Sequence, residues 1–352
     1  MEIIMKKNVA IIGYGGQGAW HANWAQKSDV VALSGIFDIA ERRVDAAKAL
    51  GIHTYASREE LLADESVDIV VCATPNDVHK EIVIDALRKG KHVVCEKPVA
   101  LSVADFDEMC AEAERSGKIF TVHQNRRYDV DYLAMQKLID SAEIGEVINV
   151  ESRIHGSRGI PSDWRCHKPG GGGMILDWGV HLIDQMLRLI PERVVSIWCE
   201  TTNITTDEVD DGFNLHLTFE SGKRATVEVG TYNFLPLPRF YMQCKNGTAI
   251  IDDWQKKCRV AKLKAWCEKD VLPVQTAAGI TKTMAPRDEI TLDFYEIDRP
   301  LSDVHDYYRN LTSAIDGECE IFVKLNEVRR VLLVMEGAFR SAELKSVLKT
   351  DI

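Results

Sequence analysis

Near the start of the chain the apolar run Val9-Ala10-Ile11-Ile12 breaks at Gly13-Tyr14-Gly15-Gly16-Gln17-Gly18, and a second apolar run ends at Phe37-Asp38. Few local patterns restrict a fold as tightly, because strand, G-x-G-x-x-G turn, helix start and distal acid are the parts of a dinucleotide-binding βαβ unit. Gly13 permits the tight turn off the strand, Gly15 lets backbone N–H groups approach a pyrophosphate, and Gly18 lets the helix lie close to the sheet. Tyr14, Gly16 and Gln17 complete the cofactor-binding turn, and the pyrophosphate is expected on the helix N-terminus, where unpaired N–H groups favour an anion. Asp38 follows Gly18 by twenty positions, the spacing at which a carboxylate accepts from ribose hydroxyls and repels a 2′-phosphate. NAD is the expected cofactor, and the neighbouring Arg42 and Arg43 leave NADP open.

A chain of 352 residues is long enough for two packed cores. The texture of the chain divides it at 1–126 and 127–352. The first part alternates short apolar runs with amphipathic stretches, the signature of a doubly wound parallel sheet. Strands are predicted at Asn8–Ile12, Val31–Phe37, Ile69–Ala73, His92–Glu96 and Ile119–Val122, with helices at Arg42–Leu50, Arg58–Leu62, Val78–Arg88 and Val103–Ser116. Asn76 and Ser102 are candidate caps for the last two. From Val147 onward β-rich alternation takes over, at Val147–His155, Val194–Thr202, Phe213–Phe219, Arg224–Thr231, Tyr241–Lys245 and Thr248–Asp252. Turn signals at Ser221-Gly222 and Asn246-Gly247 predict hairpins and hence a large, mostly antiparallel sheet. One helix, Gly173–Leu189, interrupts it, residues Lys256–Pro300 show no clear period, and two closing helices are expected at His305–Asp316 and Asn326–Lys349.

A net charge of −11 without a basic face excludes a nucleic-acid footprint. No apolar stretch approaches the roughly 18 residues that span a bilayer, and Met1–Val9 lacks the apolar core of a signal peptide. A cytoplasmic protein with a small-molecule partner and no membrane contact is expected. The nine cysteines are scattered, so they are read as buried thiols rather than disulfides, and no metal site is expected.

Chemistry concentrates where strands end. Lys97, in Glu96-Lys97-Pro98, lies just past a strand terminus, on the edge where open α/β sheets bind ligands. Asp177 and His181 sit at i and i+4 on the helix after the run Gly170–Gly173, so they are expected to share a face. A histidine near neutral pKa can take a hydroxyl proton as hydride leaves the same carbon. The glycine run implies close backbone approach to another group. Thr74-Pro75-Asn76 with His79, and Asn125 with Tyr128, are further candidates on the same edge, and Trp164-Arg165 with His167 precede the glycine run as a stacking ring with cationic donors.

In combination, G-Y-G-G-Q-G, Asp38, T-P-N-D-V-H, E-K-P, Q-N-R-R-Y-D, W-R and G-G-G-G-M-I-L-D-W-G-V-H-L-I-D resemble the Gfo/Idh/MocA family of NAD(P)-dependent oxidoreductases, in order through most of the chain. The resemblance implies a Rossmann domain followed by an α/β domain whose open sheet supports dimers or tetramers, so a homo-oligomer is expected. It implies Lys97, Asp177 and His181 as the catalytic set, with His181 as proton acceptor and Lys97 holding the reacting hydroxyl. Thr74, Pro75, Asn76, His79, Glu96, Lys97, Asn125, Trp164 and Arg165 then join the glycine turn and Asp38 at the cofactor. Tyr128, Arg153, His155 and His167 are expected to shape the substrate pocket with the catalytic three. Such members oxidise a secondary hydroxyl of a cyclic polyol, sugar or glycoside, or reduce the matching ketone, a 3-keto glycoside being a special case of the product. An NAD-dependent glycoside hydrolase working by transient oxidation and elimination, and a non-catalytic NAD-binding regulator, stay open as alternatives.

Overall fold

The computed structural model describes residues 6–264, 272–287 and 289–352. Cys267 and part of the unpatterned 256–300 stretch lie outside them.

Five short apolar strands, β1 (Lys7–Ile12), β2 (Val31–Phe37), β3 (Ile69–Cys72), β4 (His92–Cys95) and β5 (Phe120–Val122), form a parallel sheet in the order β2-β1-β3-β4-β5. β3 is buried along its whole length, as expected of a strand covered on both faces. The covering helices are α1 (Gly16–Ala25), α2 (Glu41–Ala49), α3 (Arg58–Ala63), α4 (His79–Arg88) and α5 (Val103–Ser116). Strand order reverses direction between β1 and β3, which opens a crevice at their carboxyl ends. Ser102 caps α5 as predicted, accepting from Asp105 N–H at 3.1 Å. Asn76 does not cap α4; its side chain donates to the Gly171 carbonyl at 3.1 Å, so it ties two distant loops together instead.

After α6 (Val130–Ser141) the chain builds a nine-stranded sheet from β6 (Val147–His155), β7 (Val194–Thr202), β8 (Gly212–Phe219), β9 (Arg224–Gly230), β10 (Phe240–Cys244), β11 (Gly247–Ile251), β12 (Cys258–Leu263), β15 (Leu292–Ile297) and β16 (Leu348–Lys349). Between β12 and β15, the strands β13 (Val274–Thr276) and β14 (Gly279–Thr281) pair only with each other. The order is β15-β12-β11-β10-β6-β9-β8-β7-β16, antiparallel except where β6 pairs with β9. Helices α6, α7 (Val180–Leu189) and α9 (Leu325–Leu344) contact this sheet. α9 also packs on α5 and β5, and α8 (Asp306–Ile315) reaches α1 through Tyr308 Oη and His21 Nδ1 at 2.6 Å.

Two helix expectations are corrected by the structure. The predicted helix Gly173–Leu189 opens with a π turn at Ile175–Gly179 before α7 begins. The last helix stops at Leu344, because Lys345 turns left-handed at φ 48° and Leu348–Lys349 then pair with β7. Helix α6, with its weak apolar stripe, had no counterpart in the sequence reading, and strands β12 to β15 fall in the unpatterned 256–300 stretch, where the β13–β14 ribbon lies exposed without alternation. Among the described residues no helix is long and apolar enough to cross a membrane.

Candidate active site

The glycine turn is tight in the way its residues demand. Gly13 adopts φ 94°, and a Cβ there would stand 2.5 Å from the Ala73 carbonyl oxygen. A Cβ on Gly18 would stand 1.8 Å from the Gly13 oxygen, so α1 can start against β1 only with glycine at that position. Nothing lies within 4 Å of a Cβ built on Gly16, which leaves the start of α1 open. Beside it a cavity of about 470 Å³ is lined by Gly13, Phe37, Asp38, Ile39, Arg43, Thr74, Pro75 and Ile82 among others. Asp38 is fixed at its rim, accepting from Tyr14 N–H at 2.6 Å and Ala40 N–H at 2.8 Å, with Arg43 Nη1 at 3.2 Å. Backbone donors, an apolar slot and a rim carboxylate fit an adenosine dinucleotide. Asp38→Asn keeps an acceptor for Tyr14 but removes the charge facing a 2′-phosphate and releases Arg43. We expect the NAD-over-NADP ratio of kcat/KM to fall about tenfold or more, measured with both cofactors; an unchanged ratio would place cofactor choice elsewhere.

At the other end of the crevice, β4 leads into Lys97, whose Nζ lies 2.9 Å from the Asp177 carbonyl oxygen and 3.0 Å from Asp177 Oδ1. Arg165 Nε approaches the second carboxylate oxygen of Asp177 at 3.3 Å. Burial opposes ionisation of Asp177, but Lys97 and Arg165 outweigh it and hold the carboxyl below its ordinary range. His181 is 4% exposed. Burial first, then the charges of Lys97 and Arg126, push its imidazole well below the ordinary value, so the ring is neutral at neutral pH. Its Nδ1 is buried without a protein partner, as are both side-chain polar atoms of Gln124, Asn125 Oδ1 and Arg126 Nε. Buried polar atoms left unpaired cost about 1–3 kcal/mol each, and here they cluster where β5 ends beside α7. That is the pattern of a site built to receive polar groups from a ligand.

The carboxylate of Glu96 is engaged by two histidines. Its Oε1 lies 2.8 Å from both His21 Nε2 and His123 Nδ1. Burial opposes its ionisation, yet the two imidazoles hold it well below the usual carboxylate range. The glycine run serves packing: a Cβ on Gly172 would stand 2.3 Å from the Arg165 carbonyl oxygen, and one on Gly173 2.3 Å from Asp210 Oδ1. Asp210 accepts from Ile175 N–H at 2.8 Å and so holds the start of the π turn. Burial pushes its carboxyl up to about 7.

Comparison with known proteins places this geometry. A family model described as an oxidoreductase family with an NAD-binding Rossmann fold matches residues 7–124, and the GFO/IDH/MocA C-terminal domain matches residues 132–250. The chain belongs to the Gfo/Idh/MocA oxidoreductase family. A solved NAD-binding protein from Listeria innocua superimposes with a TM-score of 0.95 at 42% identity, covering 98% of this chain and 99% of that one. An uncharacterised oxidoreductase of Schizosaccharomyces pombe is 36% identical over 205 residues, 55% of this chain and 56% of the relative, so the match spans about half its length. The Bacillus subtilis scyllo-inositol 2-dehydrogenase (NADP(+)) is 25% identical over 97% of this chain and 96% of its own.

Within this Gfo/Idh/MocA frame the structure gathers Lys97, Arg165, Asp177 and His181 at one point and leaves other candidates elsewhere. Arg153 pairs with Glu228 at 2.9 Å and also contacts Glu151, while His155 Nε2 lies 3.2 Å from Glu228. Strand alternation turns them from the side on which Ser152 meets Arg239 and, through it, Gln185 of α7, so they lie on the open face of the sheet rather than beside His181. Tyr128 packs on Phe322 and Tyr307. His167 is exposed and pairs with Glu208 at 3.1 Å. His79 is buried, its ring nitrogens 3.1 Å from the Pro98 oxygen and 3.0 Å from the Thr74 oxygen, so it braces two loops. Trp164 covers the Arg165 guanidinium at 4.6 Å. Sequence reasoning passed over Trp178 and Trp254 and carried Arg126 only as part of the Q-N-R-R-Y-D stretch. The Arg126 guanidinium lies 4.2 Å from the Trp178 ring centre and 5.1 Å from that of Trp254, and for the two indoles the hint was the Trp inside the D-W-G-V-H run alone.

Proposed function

We propose that the chain is an NAD-dependent oxidoreductase that moves a hydride between a ring secondary hydroxyl of a cyclic polyol, sugar or glycoside and the nicotinamide. The observation that carries this reading is Lys97 held on Asp177 beside a buried, neutral His181 with a free ring nitrogen. NAD, when bound, accepts the hydride in oxidation and returns it in reduction. Lys97 donates to the substrate oxygen and stabilises the alkoxide charge as it develops, with no reorganisation because Asp177 has already set the ammonium in place. His181 takes the O–H proton; the carbon-bound hydrogen leaves as hydride, and a carbonyl remains. Gln124 and Asn125 supply buried donors and acceptors for the carboxamide and the substrate hydroxyls. The full-length match to an inositol dehydrogenase supports a cyclic polyhydroxy substrate.

The test is a panel of cyclic polyols, aldoses and aryl glycosides with NAD or NADP, following reduced nicotinamide by its near-ultraviolet absorbance and aglycone in the same wells. Reduced nicotinamide in step with substrate is the expected result. Aglycone release without it would replace this reading by transient-oxidation hydrolysis, and cofactor binding without either product would leave a regulator.

A further inference from the structure

Two tryptophans lead outward from the reacting histidine. The Trp178 ring centre is 6.0 Å from His181, and the Trp254 ring centre is a further 5.6 Å from Trp178. Trp178 is half-buried, whereas Trp254, on the turn between β11 and β12, is 43% exposed. A single exposed indole needs no explanation by itself, but this one is held in place. The Arg126 guanidinium lies over both rings, and its Nη1 is anchored by Asp129 Oδ2 at 2.9 Å. Its Nε remains buried without a partner. Trp178 follows Asp177 in the chain and packs on His181, and none of the three residues lines the cavity beside Asp38, so the arrangement adjoins the Lys97, Asp177 and His181 end of the crevice.

We propose that Trp254 is the stacking platform for a second ring of the substrate, which makes the chain an oxidoreductase of glycosides with at least two rings rather than of free cyclic polyols. The inference rests on the reading given under Proposed function. A ring whose hydroxyl meets His181 and Lys97 is flanked by Trp178, and Trp254 lies one ring-packing step beyond it. Sugar rings present a face of C–H bonds, which packs against the electron-rich face of an indole. A platform already fixed by a cation and its carboxylate anchor loses little entropy when a ring settles on it. Arg126 Nε then donates to an oxygen near the linkage between the rings, which ends its isolation.

The experiment compares wild-type protein with Trp254→Ala and Trp254→Phe on mono- and disaccharides of gluco, galacto and manno configuration, by steady-state turnover with NAD and by saturation-transfer NMR. Wild type is expected to favour two-ring sugars. Trp254→Ala should lower the two-ring over one-ring ratio of kcat/KM about tenfold, mostly through KM, and Trp254→Phe should keep most of the ratio. A ratio unmoved by Trp254→Ala overturns the platform while turnover upholds the oxidoreductase. Disaccharide binding that Trp254→Ala removes, without turnover of any sugar, upholds the platform and overturns the oxidoreductase. Neither turnover nor Trp254-dependent binding overturns both.

Discussion

His181→Ala is expected to lower kcat by two to four orders of magnitude, the usual contribution of a positioned general base, while the dissociation constant for NAD and the melting temperature change little. The pH profile makes the assignment specific. Burial, Lys97 and Arg126 all lower the pKa of His181, so the neutral form that accepts a proton persists below the ordinary histidine value. The acid limb of kcat/KM for oxidation should therefore lie below the ordinary histidine range of about 6.5, with activity flat through neutrality. Lys97→Met removes the largest of the charge contributions that lower the pKa of His181. It should cost about 10²–10³ in kcat, as loss of one fixed donor to a developing oxyanion does, and should also move the acid limb to higher pH because the imidazolium is then less disfavoured. A limb that stays in place in Lys97→Met would mean that another group titrates, and near-normal turnover in either variant would remove that residue from the mechanism.

Arg127→Ala should be the most destabilising single change near the site, by about 3–5 kcal/mol. Arg127 is 1% exposed, and its Nε and Nη2 donate to the two oxygens of Asp184 at 2.7 and 2.5 Å. A third nitrogen, Nη1, donates to Glu327 at 2.6 Å. These contacts tie the turn after β5 to α7 and α9. Truncation leaves the buried Asp184 carboxylate without its partner, and that uncompensated charge accounts for most of the cost. Urea unfolding of Arg127→Ala against Arg127→Met/Asp184→Leu separates the terms, since the double variant removes both charges and should recover much of the loss. A change below about 1 kcal/mol in the single variant would show that the pair is not held as described. Asp184 lies three residues after His181 on α7, so lowered kcat should accompany lowered stability.

The dinucleotide unit was legible because every requirement in it is local. A positive φ at Gly13, the absence of a Cβ at Gly18 and unbroken apolar strands are properties of consecutive residues, and they predicted the parallel sheet within a residue or two at each end. The nine-stranded sheet was half legible. Hairpins at Ser221-Gly222 and Asn246-Gly247 came through, but β13 and β14 did not, since these exposed strands have no buried face to impose alternation. Lys97, Asp177 and His181 stood out only as members of a motif series. The π turn at Ile175–Gly179, which carries Asp177, left no signal in the spacing.

By itself, then, the sequence determined the glycine turn, the strand ends that carry Lys97 and Asn125, and the cap at Ser102, because backbone dihedrals and side-chain alternation depend on neighbours in the chain. Only the tertiary structure decided which face of β6 meets the helices, and so placed Arg153 and His155 with Glu228 instead of the site. It likewise brought His21 and His123 onto Glu96, Asn76 onto Gly171, and Trp254 beside Trp178 and Arg126. Those pairings join residues up to about 130 positions apart, and no local energy selects them. They follow from which apolar faces the helices and sheets bury against one another.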